Sequence, residues 1–400
     1  MMRGIIPVEE LFTKSHAIGQ YYGFTPLSTL TARKRGTARQ STDVSAGGGS
    51  ASGGKSNAPT MLDNLAPDPI ADTVIRFLKQ CKNIERTPTP QQPLFIWHTN
   101  IAPGRPAQKK ITLQFHALGT DRAIADAVVI RALLALSHDL FREDPIVRVN
   151  SMGDKETRAR YARELGVFFK KRASILPEEC LNCAKRDVFE AAEFALANGC
   201  ADDLPAPTEH LSDASRKRFE DLLEYLEMTE TPYELARHLI NRGPVWGDIC
   251  FEFIAGGQRV AWGSRYSDLT RHFFPGAPFS ATGAVLQIAS EGTAEKQVRV
   301  EKTVPKRLRF SFVHIGDEAK RLSIRLAEDF KHARISLTQD IGVESLTEQL
   351  HLAERRESPY LLIMGRKEAL EGSAILRNCQ TQEETVLPLI GLIDRLKTFV

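Results

Sequence analysis

The chain has 400 residues, 42% of them hydrophobic, 8% aromatic and 26% charged, a composition that excludes collagen-like, disulfide-scaffold and wholly disordered chains. Lys and Arg total 53 against 50 Asp and Glu, a net charge of +3, too small to argue nucleic-acid binding from charge alone. The six cysteines (81, 180, 183, 200, 250 and 379) are too sparse for a secreted disulfide framework and read as reduced thiols of a cytoplasmic protein. Acidic residues stand in MMRGIIPVEELFTKSH where a signal peptide needs an apolar stretch, and no run of about 18 apolar residues occurs. Neither a membrane nor DNA is expected as a partner.

In chain order, Val8, Leu11, Ile18 and Tyr22 recur at helical spacing before Gly23, which predicts an N-terminal helix. Residues 42–60, rich in Gly and Ser, carry no large apolar side chain except Val44 and are expected to be a flexible loop. A helix over Pro69–Lys82 and strands over Pro93–Trp97 and Ile111–His116 follow. The spacing of Ile124, Val128 and Leu133 predicts an amphipathic helix over Arg122–Asp139. Pro145–Asn150 reads as a strand and Asp154–Lys171 as a charged helix, followed by polar helices over 176–230. Ile249–Ile254 and Arg259–Ala261, split by Gly256-Gly257, form a hairpin signal. Residues 291–305 read as a linker. From Lys306 to Val400, strands alternate with helices, which predicts a small parallel α/β domain. Its last helix is expected over Leu387–Phe399. Cys180-x2-Cys183 with Cys200 and His210 has four possible zinc ligands, but the second pair is split too widely for a compact knuckle, and reduced thiols are the better reading.

The chemistry-bearing residues lie in an ordered series of short segments: QFHALG (114–119), VNSMGDKETRARY (149–161), LPEECLNC (176–183), NRGPVWGDICFEF (241–253), WGSRYSDL (262–269), SATGAVLQI (280–288) and YLLIMGRKEALEGSAIL (360–376). In content and order this series resembles histidyl-tRNA synthetase over nearly the whole chain. The resemblance implies an α+β fold. It places a class II synthetase-like antiparallel sheet flanked by helices at residues 1–290 and an α/β anticodon-binding-like domain at 306–400. It also implies a homodimer, tRNA as partner, and ATP with Mg2+ if the chain works as a ligase.

Residue by residue, the likeness thins where the family grips its substrates. The family's Phe-Arg-x-Glu falls on Ala102 and Gly104, with Arg105 as the remnant of the ATP site. Gly-Leu-Glu-Arg falls on Gly283-Ala284-Val285-Leu286, so that Leu286 stands for the ATP-stacking arginine. Neither alanine nor leucine can replace a guanidinium on a phosphate or over a base. The histidine-binding remnants are Asp68, Gln114, His116, Asp121, Arg265 and Tyr266, and Arg242 matches the family's catalytic cation. Three readings follow in order. The first is a synthetase-like protein with a degenerate ATP and histidine site and a binding or regulatory role. The second is a working histidine–tRNA ligase, and the third a non-catalytic dimer scaffold. The regulatory subunit of ATP phosphoribosyltransferase is a precedent for the first, although it lacks the C-terminal domain.

Overall fold

The computed structural model describes residues 8–31, 69–101, 109–141, 144–200, 203–237, 239–240, 247–290 and 309–399. The expected loop at 42–60 and linker at 291–305 fall outside the described residues.

The chain opens with helix α1 (Val8–Tyr22), the short strand β1 (Thr25–Pro26) and helices α2 (Leu27–Leu30) and α3 (Pro69–Cys81). Strands β2 (Leu94–Ile101) and β3 (Lys109–Leu118) lead to helix α4 (Ala123–Leu140) and strand β4 (Ile146–Ser151). Four helices follow: α5 (Lys155–Lys171), α6 (Glu178–Arg186), α7 (Val188–Ala197) and α8 (Asp213–Met228). Strands β5 (Tyr233–Leu235), β6 (Gly247–Ala255) and β7 (Gln258–Arg265), helix α9 (Ser267–Phe273) and strand β8 (Ala281–Ser290) complete this part. The sheet order is β1-β2-β3-β8-β7-β6-β4-β5. All pairs are antiparallel except the two edge pairs, β1 with β2 and β4 with β5.

Local chemistry accounts for the main joints. Gly256 (φ 57°) and Gly257 (φ 73°) give the β6–β7 hairpin two consecutive left-handed residues, the type I′ geometry that only glycine, Asn and Asp adopt readily. Asp154 caps α5 by accepting from the Thr157 N–H at 2.8 Å. It also accepts from Ser212 Oγ at 2.6 Å, and Ser212 is itself the cap of α8, so the starts of α5 and α8 are tied together. The helix expected to be amphipathic, α4, is instead buried along almost its whole length, Asp126, Arg131 and Ser137 included. It packs between the sheet and helices α1 and α8, and an element covered on every side needs no polar face.

The C-terminal part runs β9 (Phe310–His314), α10 (Asp317–His332), β10 (Leu337–Gln339), α11 (Leu346–Arg355), β11 (Tyr360–Met364), α12 (Arg366–Glu371), β12 (Ser373–Asn378), β13 (Glu384–Pro388) and α13 (Leu392–Leu396). Its strand order is β10-β9-β11-β12-β13. Strands β10, β9 and β11 are parallel as expected, but β12 and β13 join antiparallel, so the sheet is mixed. The long final helix expected from Leu387 is replaced by an edge strand ending at Pro388, a left-handed Gly391 (φ 72°) and a short helix. A proline donates no hydrogen bond, which suits an edge strand and breaks a helix.

One apolar core joins the two sheets. Leu11, Ile18 and Tyr22 of α1 share it with Phe310, Phe312, Ile324 and Phe330. Burying each phenylalanine is worth about 1.5–3 kcal/mol. Polar contacts pin the same seam: Tyr22 Oη donates to Glu328 at 3.0 Å, Tyr21 Oη to the Ile335 carbonyl at 3.0 Å, and Gln339 Nε2 to the Tyr21 carbonyl at 2.7 Å. Gly342 lies so close to the first sheet that a Cβ there would meet Pro93 at 2.5 Å and Phe95 at 2.6 Å.

Candidate functional site

Strand alternation divides the chemistry of the large sheet between its two faces. On β3, Gln114 and His116 point to one face, while Leu113 and Phe115 pack in the core on the other. The His116 ring is fully buried. Its Nε2 lies 3.0 Å from Gln114 Oε1 and its Nδ1 2.7 Å from the Tyr266 hydroxyl. Phe77 of α3 stacks on the ring at 3.7 Å between centroids. Burial lowers the His116 pKa well below its ordinary value, with His98 nearby adding to the shift, and burial raises that of Tyr266. His98 itself is pushed down to about 4 by burial. The cluster is therefore neutral at pH 7, its hydrogen bonds are made internally, and Gln114, His116 and Tyr266 are closed to solvent.

Gly283 of β8 sits against this ring. A Cβ there would lie 2.0 Å from His116 Nδ1, and the ring is held by one stack and two hydrogen bonds. Gly283→Ala is expected to cost about 1–3 kcal/mol, read as a lower urea midpoint with an unchanged slope.

The opposite face carries the charges. Asp126, fully buried in α4, accepts from Arg265 Nε at 3.1 Å and also from Arg265 Nη2. Its other oxygen accepts from Thr282 Oγ1 at 2.7 Å. Arg265 Nη2 also donates to the Arg122 carbonyl at 3.0 Å. Burial raises the Asp126 pKa, while Arg265 and Thr282 pull it back down. Next to this group Asp248, buried and in the left-handed region at φ 43°, accepts from Ser151 Oγ at 3.1 Å and pairs with Arg218. Arg218 opens onto a cavity of about 490 Å³ between the starts of α4 and α8, lined also by Asp121, Arg122, Asp213, Lys217 and Asp221. Its rim is zwitterionic, and the Arg122 side chain there is already paired with Asp317 and Glu344 of the C-terminal part.

The residues singled out from the sequence thus separate. Gln114, His116 and Tyr266 come together. Arg265 lies on the other face, in a saturated ion pair, and Asp121 lies at the cavity rim. Arg242, Asp68 and Arg105, with Ala102 and Gly104, fall outside the described residues. Leu286 is a member of the α4-side core. An arginine at that position would not reach the His116 face, because residues 283 and 285 of β8 point there and 286 points away. Sequence reasoning missed Asp126, Asp248, Arg218 and Arg158. Arg158 is a half-buried guanidinium 5.5 Å over the Phe189 ring, with Cys250, Asp187 and Asp268 as its electrostatic neighbours. Asp126 had a readable signal, a lone acid in an otherwise apolar helix, which demands a buried partner. Among the described residues no group of three or more His, Cys, Asp or Glu side chains is placed to hold a metal ion, and no described helix is long and apolar enough to cross a membrane.

A family profile described as "Anticodon binding domain" matches residues 310–399. The Histidine--tRNA ligase of Clostridioides difficile (strain 630) is 25% identical over 296 residues, covering 71% of this chain and 70% of that protein. Histidine--tRNA ligase 1 of Shouchella clausii (strain KSM-K16) is 26% identical over 329 residues, 77% of this chain and 76% of the relative. Over more than two thirds of its length the chain is similar to histidine–tRNA ligases. Among solved structures, apo S. aureus histidyl-tRNA synthetase matches at 20% identity and TM-score 0.42 over 83% of each chain. The fold is α+β, an antiparallel-rich sheet followed by a smaller mixed sheet in the segment that matches the anticodon-binding profile.

Proposed function

We infer that this chain is a synthetase-like binding or regulatory protein whose ATP and histidine site is degenerate, and that tRNA is its partner through residues 310–399. The observation that carries the reading is the closure of the His116 face. Both ring nitrogens of His116 are taken up by Gln114 Oε1 and the Tyr266 hydroxyl, and all three side chains are buried, with the imidazole uncharged at neutral pH. Adenylate chemistry needs preorganised cations where charge develops on the α-phosphate, and a neutral, buried cluster offers none. These three residues therefore offer nothing that grips ATP with Mg2+, and no step is derived through them. Within the anticodon-binding domain, Asp and Glu offset Lys and Arg closely, so any affinity for tRNA rests on shape and a few contacts more than on net charge.

A working ligase is the second reading, favoured by 25–26% identity to histidine–tRNA ligases over more than two thirds of the chain. Histidine-dependent ATP–pyrophosphate exchange separates the two. The expected result is no exchange above a control without histidine, and exchange at ordinary ligase rates would establish the second reading instead. A gel shift with bulk tRNA is expected at low salt and should weaken as salt rises. No shift at low salt would remove tRNA as the partner and leave the scaffold reading.

A further inference from the structure

The helical insertion between β4 and β6 brings three thiols together in a way the readings above leave unused. Cys180 lies in the first turn of α6, Cys183 one turn further on, and Cys200 just beyond the end of α7. Cys180 Sγ lies 3.7 Å from the Ala191 carbonyl and Cys200 Sγ 3.4 Å from the Ala195 carbonyl. Ala191 and Ala195 are four residues apart, so both sulfurs sit on one stripe of α7. Both alanines are fully buried, and their small side chains let α6 and the end of α7 approach. Of the neighbouring thiols, Cys200 acts on Cys180 more strongly than Cys183 does. Cys183 instead faces Arg186, whose Nη2 is 3.7 Å from its sulfur.

We propose that Cys180 and Cys200 form a reversible intrachain disulfide under a peroxide oxidant, tying the start of α6 to the end of α7. Helical geometry selects this pair. Residues three apart in a helix hold their Cβ atoms about 5–6 Å from each other, whereas a disulfide needs roughly 3.5–4.5 Å, so Cys180 and Cys183 cannot bridge without unwinding α6. Accessibility sets the order of events. Cys200 is partly exposed and Cys180 is buried, with burial and the neighbouring thiols pushing the Cys180 thiol up to about 11. The Cys200 thiol gives up its proton and attacks hydrogen peroxide as the thiolate; the O–O bond breaks, a sulfenic acid forms, and the departing hydroxide takes up that proton and leaves as water. The Cys180 sulfur then attacks the Cys200 sulfur. The S–S bond forms, the S–O bond breaks, and the hydroxide leaves with the Cys180 proton as a second water. The two sulfurs lose two electrons and the peroxide gains them.

The test uses the full chain, fully reduced and then treated with a small excess of hydrogen peroxide, followed by peptide mapping without reductant. The expected result is one cross-link joining the peptides of Cys180 and Cys200, reversed by dithiothreitol and retained in Cys183→Ser. In the Cys183→Ser chain the oxidised form should melt several degrees above the reduced form, because the bond shortens the unfolded chain by a loop of about 20 residues. A dominant Cys180–Cys183 or Cys183–Cys200 link would overturn the proposal. So would irreversible sulfinic acid at Cys200 with Cys180 still a free thiol.

Discussion

Arg265→Met is expected to destabilise the protein by about 3–5 kcal/mol, the usual consequence of stripping one partner from a buried ion pair. Asp126 has no solvent exposure, and after the substitution only Thr282 would remain to satisfy it. A desolvated carboxylate with a single hydroxyl donor must either take up a proton or open the helix to water, and both cost stability. Methionine has a similar reach to arginine and refills the space, so the loss reports charge and hydrogen bonding more than a cavity. Denaturant unfolding of Arg265→Met beside the double variant Arg265→Met/Asp126→Leu checks the cause. The double variant should recover most of the loss, since an apolar pair no longer leaves a charge stranded. If the single variant unfolds at the parental midpoint, the pair does not hold α4 to the sheet.

The second large effect is a fall in stability as pH drops from 6.5 to 5. His116 and His314 are fully buried. Burial lowers the His116 pKa well below 6.5 and that of His314 to about 3, Lys320 adding to the latter shift. Their folded-state pKa values lie below the unfolded value, so over this interval the unfolded chain takes up protons that the folded chain refuses. Stability is then present above pH 6.5 and lost below it. Each imidazole contributes roughly 1.5 kcal/mol between pH 6.5 and 5, about 3 kcal/mol for the pair. Asp126 works in the opposite direction, since its folded pKa is raised, but only once the pH nears the carboxylate range. Urea midpoints at half-unit pH steps measure the slope. His314→Phe should remove about one proton from it, because neither ring nitrogen of His314 has a partner to lose. An unchanged slope in that variant would mean that His314 titrates normally in the folded chain.

Much of the fold was legible locally. The alternation around Gln114–His116, the paired glycines of the β6–β7 turn and the strand–helix rhythm after residue 309 each follow from backbone geometry and side-chain period. The C-terminal pattern failed only at its end, where Ser373–Asn378 pairs with Glu384–Pro388; a strand is read from its partner as much as from its own residues. The candidate site was legible in part. Gln114, His116 and Tyr266 do assemble, but Arg265 reads as one more residue of the same segment as Tyr266 and yet serves the opposite face.

The sequence by itself determined the likeness to histidyl-tRNA synthetases, the α+β class, the helical and strand periods, and the thiol and glycine positions, because those depend on residue identity and on neighbours a few positions away. Only the tertiary structure decided which face each strand residue serves. It placed Leu286 in the α4-side core, buried α4 on all sides, and brought Asp126 to Arg265 across 139 positions of chain. The physical reason is the same in each case. Both faces of the central strands are buried, so hydrophobic pattern leaves their phase open, and the partner that settles it arrives from a distant part of the chain.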